Sequence, residues 1–587
     1  MNIAERGNAR WRLYALAAFV VALVAAGLAP ATATASENAT VDVIVREKAP
    51  DTDEAEDLVG ALSGTVGDHL AIIGGFVATV PADALATLAA DPAVTEVTPN
   101  SDLTLLGAGW EDATKLKFNP STYAGTVNRV ADSVLQAPAF WSDGYTGESV
   151  DVALIDSGVV PVDGLTYPGK VINGPDLSFE SQSNIFRHLD TSGHGTHMAG
   201  IIAGRDNGAA ISGTSNDFLG VAPGARIVSV KVAGHDGATD VSQVIAAIDW
   251  VVQHRNDNGM NIRVLNLSFG TDSTQSYVLD PLAFAVEQAW KAGIVVVVAA
   301  GNDGNASALR NPATNPFVIA VGAANHGTTR SKVNDVLEFT NCGTANRHVD
   351  VVVPGESITG LRAPGTRADD ENPQSVVAGR YMLGSGTSQA TAFVAGAAAL
   401  IVDAAPEATP DQVKELLMTN SADGRFRGEG ERCLGAGLPN LEWALHEITH
   451  DGLPTAVQTH TPSTGLGSLE AARGSDHIED GGVVLEGEQD IFGNAWDGAA
   501  WSAAAAAGAS WSGGQWNGVD WSGLSWSGLS WSGLSWSGLS WSGLSWSGLS
   551  WSSKFWSGLS WSGLSWSGLS WSGLSWSGEA WLGLSWK

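Results

Sequence analysis

Val150-Asp151-Val152-Ala153-Leu154-Ile155-Asp156-Ser157-Gly158 is a largely apolar run that closes on a carboxylate. Branched aliphatics without polar alternation read as a strand buried on both faces, and Asp-Ser-Gly reads as the turn at its carboxyl end. Comparable runs recur at Arg226–Val232, Ile262–Ser268, Ile294–Ala300, Phe317–Val321 and Val349–Val353. Helical patterns lie between several of them. Over 241–254, Val241, Val244, Ile245, Ile248, Val251 and Val252 form one stripe, and a second pattern covers 281–292. A later helix opens at Thr409-Pro410-Asp411-Gln412, with a capping Thr, Pro in the first turn and Gln at the capping-box position. Buried strands alternating with helices predict an α/β domain over 140–445, its sheet mainly parallel and covered by helices on both faces. Ligands bind such sheets at the carboxyl ends of the strands.

The rest of the chain is organised differently. At 587 residues it is too long for one compact domain, and 44% hydrophobic against 16% charged residues excludes global disorder. A formal charge of −32 argues against nucleic acid and anionic lipid as partners. Arg6, Arg10 and Arg12, the apolar run Leu13–Ala29 and the small residues at 31–36 read as a secretory signal peptide over 1–35, the alternative being an uncleaved anchor. The expected location is therefore secreted or cell-surface.

Residues 41–100 suggest a small α+β module: a strand at Val41–Val45, a polar helix-compatible stretch, an apolar run over 72–80, an Ala-rich helix over 82–90 and a strand near Val94–Val97. Residues 101–139 connect it to the large domain. The polar stretch 446–490 reads as a linker. Over 491–587, Trp falls at every fifth position from Trp496 to Trp586 except Ala506, mostly in the unit Trp-Ser-Gly-Leu-Ser. This tail reads either as a four-sided β-solenoid or as low-complexity chain. Exposed Trp over such a length is sticky, which suggests contact with a cell surface, a carbohydrate or another copy. The two cysteines, Cys342 and Cys433, permit one disulfide, but spacing does not show whether they meet.

Three short motifs carry chemistry. Asp156 ends the first strand; Gly193-His194-Gly195-Thr196-His197 opens a small-residue helix; Gly384-Ser385-Gly386-Thr387-Ser388-Gln389-Ala390 leads a Ser into an apolar helix. Each has a bland reading as a turn, a loop or a helix cap. Together they supply a nucleophile that needs a base, an imidazole suited to that task, and a carboxylate to fix its tautomer. The chain order Asp, His, Ser is that of subtilisin.

On these motifs, residues 140–445 resemble the subtilisin-like serine peptidases (the subtilase, or S8, family). The resemblance implies that Asp156 orients, His194 acts as base and then acid, and Ser388 attacks the scissile carbonyl of a polypeptide substrate. Val297-Val298-Ala299-Ala300-Gly301-Asn302 resembles the family's oxyanion segment, with Asn302 as donor beside the Ser388 N–H. Ser268, Phe269 and Gly270 would line one side of the primary pocket and Ala299, Ala300 and Gly301 the other, with Gly234 and Gly237 bordering the next subsites. Arg310 falls near the pocket floor or on the surface. His197 is expected to be structural.

The family's Ser motif usually continues with Pro, where this chain has Ala392, and often His, where it has Phe393; the pocket's detailed shape is what that difference touches. The 41–100 module resembles an inhibitory propeptide, released by self-cleavage within 98–138. No catalytic cofactor is implied. Structural Ca²⁺ is frequent in the family, although no loop shows clear ligand spacing. The competing function is a catalytically silent adhesion or scaffold protein on a peptidase fold.

Overall fold

The computed structural model describes residues 40–520 apart from short stretches, the longest being 71–74, 100–108, 213–216 and 422–430, together with 550–552 and 575–577. The expected signal segment and most of the repeat tail lie outside the described residues. Two compact units divide after Asn100.

The first unit is a four-stranded antiparallel sheet. It contains β1 (Thr40–Glu47), α1 (Glu54–Ala61), β2 (Thr65–Leu70), β3 (Gly75–Pro81) and β4 (Val94–Pro99), in the order β2-β3-β1-β4. Val45, Phe76, Ala78, Val80 and Leu88 form its core. The strand β2 is additional to the expected order. Its sequence Thr-Val-Gly-Asp-His-Leu has too little apolar content to announce a strand, and pairing with β3 along an edge supplies the order. The helix expected over 82–90 falls largely outside the described residues.

The second unit is built on a seven-stranded parallel sheet. Its strands are β6 (Asp151–Asp156), β7 (Val171–Asp176), β8 (Arg226–Lys231), β9 (Ile262–Leu267), β10 (Val295–Ala299), β11 (Ile319–Ala324) and β12 (Val351–Pro354). The order is β12-β11-β10-β9-β6-β8-β7. All six expected strands are present within a few residues. The seventh, β7, reads Val-Ile-Asn-Gly-Pro-Asp and sits at an edge, where Pro costs no ladder bond. The order turns about β6, which has β9 on one side and β8 on the other. Asp156 therefore ends the strand at the switch point, where a crevice opens beyond the sheet.

Helices α2 (His194–Ala203) and α5 (Thr387–Ala404) pack together, as do α3 (Val241–His254) and α4 (Pro281–Lys291). Their starts are sequence-coded. Asp240 accepts from Ser242 N at 2.8 Å while Gln243 accepts from Asp240 N at 2.7 Å, a capping box at the head of α3. Thr409 and Gln412 make the same reciprocal pair, at 2.9 and 3.3 Å, before α6 (Pro410–Thr419). Cys342 and Cys433 are joined in a disulfide.

Two stretches depart from expectation. Residues 109–126 are built into the second unit. Strand β5 (Gly109–Trp110) pairs with β15 (Tyr381–Ser385), which itself pairs with β13 (Ile358–Leu361) and β14 (Val376–Val377).

The stretch 446–490 is no free linker. It carries α7 (Leu469–Arg473), whose Arg473 is fully buried and donates to Asp240 Oδ2 at 2.7 Å, Gly487 O at 2.8 Å and Gln489 O at 2.6 Å. The first Trp repeats follow it down. Trp501, in α8 (Gly498–Ala506), and Trp516 are fully buried, and both indole N–H groups donate to the same Asp249 oxygen on α3, each at 2.8 Å. Burial pushes Asp249 up to about 6, against the lowering effect of the two indoles and Ser510.

Deleting the guanidinium leaves Asp240 buried without its countercharge. Arg473→Ala should therefore lose about 3–5 kcal/mol, seen as a lower urea midpoint at unchanged slope in equilibrium unfolding.

Candidate active site

Asp156 is buried where β6 ends, and its two carboxylate oxygens lie 2.9 and 3.0 Å from His194 Nδ1. A carboxylate on Nδ1 makes that nitrogen the donor, which leaves Nε2 as the basic end of the ring. Burial alone would keep the imidazole neutral. The charge and hydrogen bond of Asp156, with a smaller pull from Asp190, outweigh it and hold His194 above the ordinary histidine value.

The loop before α2 is fixed by a second buried carboxylate. Asp190 accepts from Gly193 N at 2.6 Å, Thr196 N at 2.8 Å and Ser157 Oγ at 2.8 Å. Ser157 Oγ also takes the Gly195 N–H at 3.0 Å, so the residue after Asp156 anchors the one after His194. Neither Asp190 nor Ser157 is among the residues the motifs single out. The available signal was an Asp just ahead of Gly-His-Gly, where a helix start attracts a carboxylate. Gly193 adopts φ +99, and a Cβ on Gly195 would fall 2.2 Å from Gly158 O and 3.1 Å from Asp156 Oδ1.

Ser388 is buried in the first turn of α5. Its carbonyl accepts from Ser268 Oγ at 3.5 Å. Among the described residues His194 Nε2 has no hydrogen-bond partner, so the hydrogen bond that would join it to a nucleophile is not made in this structure. Such catalytic bonds are often long or misaligned until substrate arrives. Asn302 is tied to the same helix start: its Oδ1 accepts from Thr387 N at 2.9 Å and Thr387 Oγ1 at 3.1 Å. The helix runs unbroken through Ala392 and Phe393, both fully buried.

The expected substrate residues stand at adjacent strand ends. Ser268, Phe269 and Gly270 follow β9, Ala299 closes β10 with Ala300 and Gly301 after it, and the two strands pair in parallel at Val298 and Leu267. Gly301 takes φ +116, and a Cβ there would meet Asn341 Nδ2 at 2.6 Å. Gly234 and Gly237 form the loop beyond β8, closed by Gly237 N on Gly234 O at 3.0 Å. Glu180 anchors that loop by accepting from His235 N at 2.9 Å, and it also pairs with the buried Lys231.

Arg310 is half-buried behind Gly301, with its guanidinium on Asp303 at 2.7 Å and Asp476 at 2.9 Å. Its charge is already engaged by these two carboxylates. His197 packs edge-on to Trp110, ring centroids 5.2 Å apart; burial, reinforced by nearby His194, pushes it down to about 3, so it stays neutral. Among the described residues no three His, Cys, Asp or Glu side chains are grouped to hold a metal ion.

A family model for the subtilase family matches residues 147–437. The chain is 32% identical to subtilisin E of Bacillus subtilis over 394 residues, covering 66% of this chain and 85% of that protein. The chain belongs to the subtilase family. This subtilase is also 36% identical to a subtilisin of Bacillus pumilus over 53% of its own length and 96% of the relative's. It is 37% identical to the serine protease AprX of Bacillus subtilis over 51% of this chain, and the match spans 66% of that relative's length. Membership of this family makes the chain a serine-type endopeptidase by class.

A side chain at position 195 has no room between Gly158 O and the Asp156 carboxylate. Gly195→Ala should shift the start of α2 and lower the rate of fluorogenic peptide hydrolysis by about 10²-fold, measured on folded protein.

Proposed function

We propose that the chain is an exported, self-maturing endopeptidase that cleaves polypeptides through a Ser388 acyl-enzyme. The observation that carries this reading is the buried Asp156–His194 pair at the switch point of the sheet, with the His194 helix packed against the helix whose first turn holds Ser388 and the anchor of Asn302. Ser388 Oγ attacks the scissile carbonyl as His194 Nε2 takes its proton, and Asp156 holds the Nδ1–H and the imidazolium charge. The tetrahedral oxygen is received by the Ser388 N–H and the Asn302 amide. His194 then passes the proton to the leaving amine. Water, activated by the same imidazole, releases the acyl group. An extended substrate lies along Ser268–Gly270 and Ala299–Gly301, where main-chain pairing tolerates varied sequences.

The basic and apolar N-terminus supports export, and residues 41–100 are read as the propeptide and intramolecular inhibitor. The maturation cut falls before Gly109. Downstream of it, Glu111 takes the hydroxyls of Ser357 and Ser385, and Ala113, Leu116 and Phe118 pack around Val377 and Leu383. The distal Trp repeats are read as a surface or carbohydrate contact.

A fluorophosphonate probe should label Ser388 and leave Ser388→Ala unlabelled and unprocessed; N-terminal sequencing of active enzyme should find a start between Asn100 and Gly109. Failure of intact, folded protein to label overturns the reading. Asn302→Ala should lower kcat by about 10²–10³-fold, the magnitude known for subtilisin rather than for this chain.

The base works only unprotonated, so a raised His194 pKa moves the acid limb of kcat/KM above the ordinary value of about 6.5. His197→Asn should not move that limb, because His197 is already neutral throughout the range.

A further inference from the structure

The two walls of the expected primary pocket continue into residues that the C-terminal extension grips. Beyond Gly270, Thr271 exchanges backbone hydrogen bonds with Asn311 at 2.9 and 2.8 Å. Thr271 Oγ1 donates to Ala472 O at 2.6 Å, Ser273 Oγ to Ala471 O at 2.5 Å, and Ser475 N to Asp272 Oδ1 at 2.6 Å. Gly474 makes this approach feasible: it takes φ +70, and a Cβ would fall 2.1 Å from Asp272 Oδ1. On the opposite wall, Arg310 N donates to Ala300 O at 2.9 Å, and the Arg310 Cγ lies 2.7 Å from where a Gly301 Cβ would stand.

One atom joins the two sides. Asp476 Oδ2 accepts from Asp272 N at 3.0 Å and from Arg310 Nη1 at 2.9 Å. Burial, with Asp272 and Asp303 close by, pushes this carboxyl up to about 6 against the pull of Arg310. The carboxylate is thus held among like charges by the geometry of the two donors. Asp476 also lies outside residues 147–437, the part matched to the family.

We propose that Asp476 is a positioning residue for substrate binding: from the C-terminal extension it ties the Ser268–Gly270 wall to the Ala299–Gly301 wall and so sets the width of the primary side-chain pocket. This rests on the peptidase reading above. The residue does not touch the reacting atoms. Its effect reaches the substrate through Arg310 and Asp272.

The test uses the mature full-length enzyme, with peptide substrates that differ only in the residue before the scissile bond (Ala, Leu or Phe), and fluorophosphonate labelling as a readout that does not fill the pocket. D476A should raise KM for the Leu and Phe substrates about tenfold, the equivalent of losing one charge-assisted hydrogen bond. The Ala substrate, kcat and the labelling rate should change by less than about twofold. D476N keeps an acceptor for the Asp272 N–H and should fall between. Thermal unfolding identifies which variants fold, and if D476A does not, D476N alone decides.

Unchanged KM values and residue preference in a folded variant overturn the proposal. So does a parallel loss of kcat and labelling, which marks a merely structural role. Wild-type protein that neither labels nor cleaves overturns the peptidase reading instead, a distinct result.

Discussion

A carboxylate with no access to water must find donors, and the region around Asp156 is organised by that requirement. The charge at the end of β6 is met by His194 Nδ1 and the Ser157 N–H. A second buried carboxylate, Asp190, then fixes the turn that presents the imidazole. Glycines at 193 and 195 follow as a steric necessity: a Cβ at 193 would meet the Thr366 and Ala368 side chains, and one at 195 the Gly158 backbone and the Asp156 carboxylate. The sheet contributes the placement. Its order turns at β6, so the carboxylate ends where the neighbouring strands leave a crevice.

The C-terminal extension shows how a polar sequence can be fully built into a fold. Its anchors are few and specific: Arg473 on Asp240, two indoles on Asp249, Asp476 on Arg310. Two of these act on α3, one at its cap and one at its buried face. A buried ion pair of this kind contributes less net stability than its Coulomb energy suggests, because both charges are desolvated. It does penalise every arrangement that leaves one partner alone. The extension is therefore held in one register on the helix.

Legibility followed the physics of each element. The five internal strands of the large sheet and the edge strand β12 were readable because burial on both faces forces an uninterrupted apolar run, α3 through its apolar stripe and α6 because its cap is written in adjacent residues. Asp156, His194 and Ser388 stood out through glycines and order along the chain, and Asn302 through the resemblance of its segment to the family's oxyanion segment. The edge strands β2 and β7 did not, since an edge accepts Gly, Asp and Pro. Arg473 and Trp501 were opaque for another reason: their partners, Asp240 and Asp249, lie more than 230 residues upstream. A polar stretch and a pentapeptide period gave no hint of a destination. Asp190 escaped because an Asp near a turn is ordinary until its three donors are seen.

The disulfide joins residues 91 apart, and the closed ring includes β12, β13, β15 and the whole of α5 with Ser388. Closing a loop of that size removes roughly 4–5 kcal/mol of freedom from the unfolded chain in the entropic account. It also has a topological effect. A single nick anywhere inside the ring leaves both fragments bonded through sulfur, so a proteolytic accident among neighbouring copies severs the backbone without releasing the nucleophile from its scaffold.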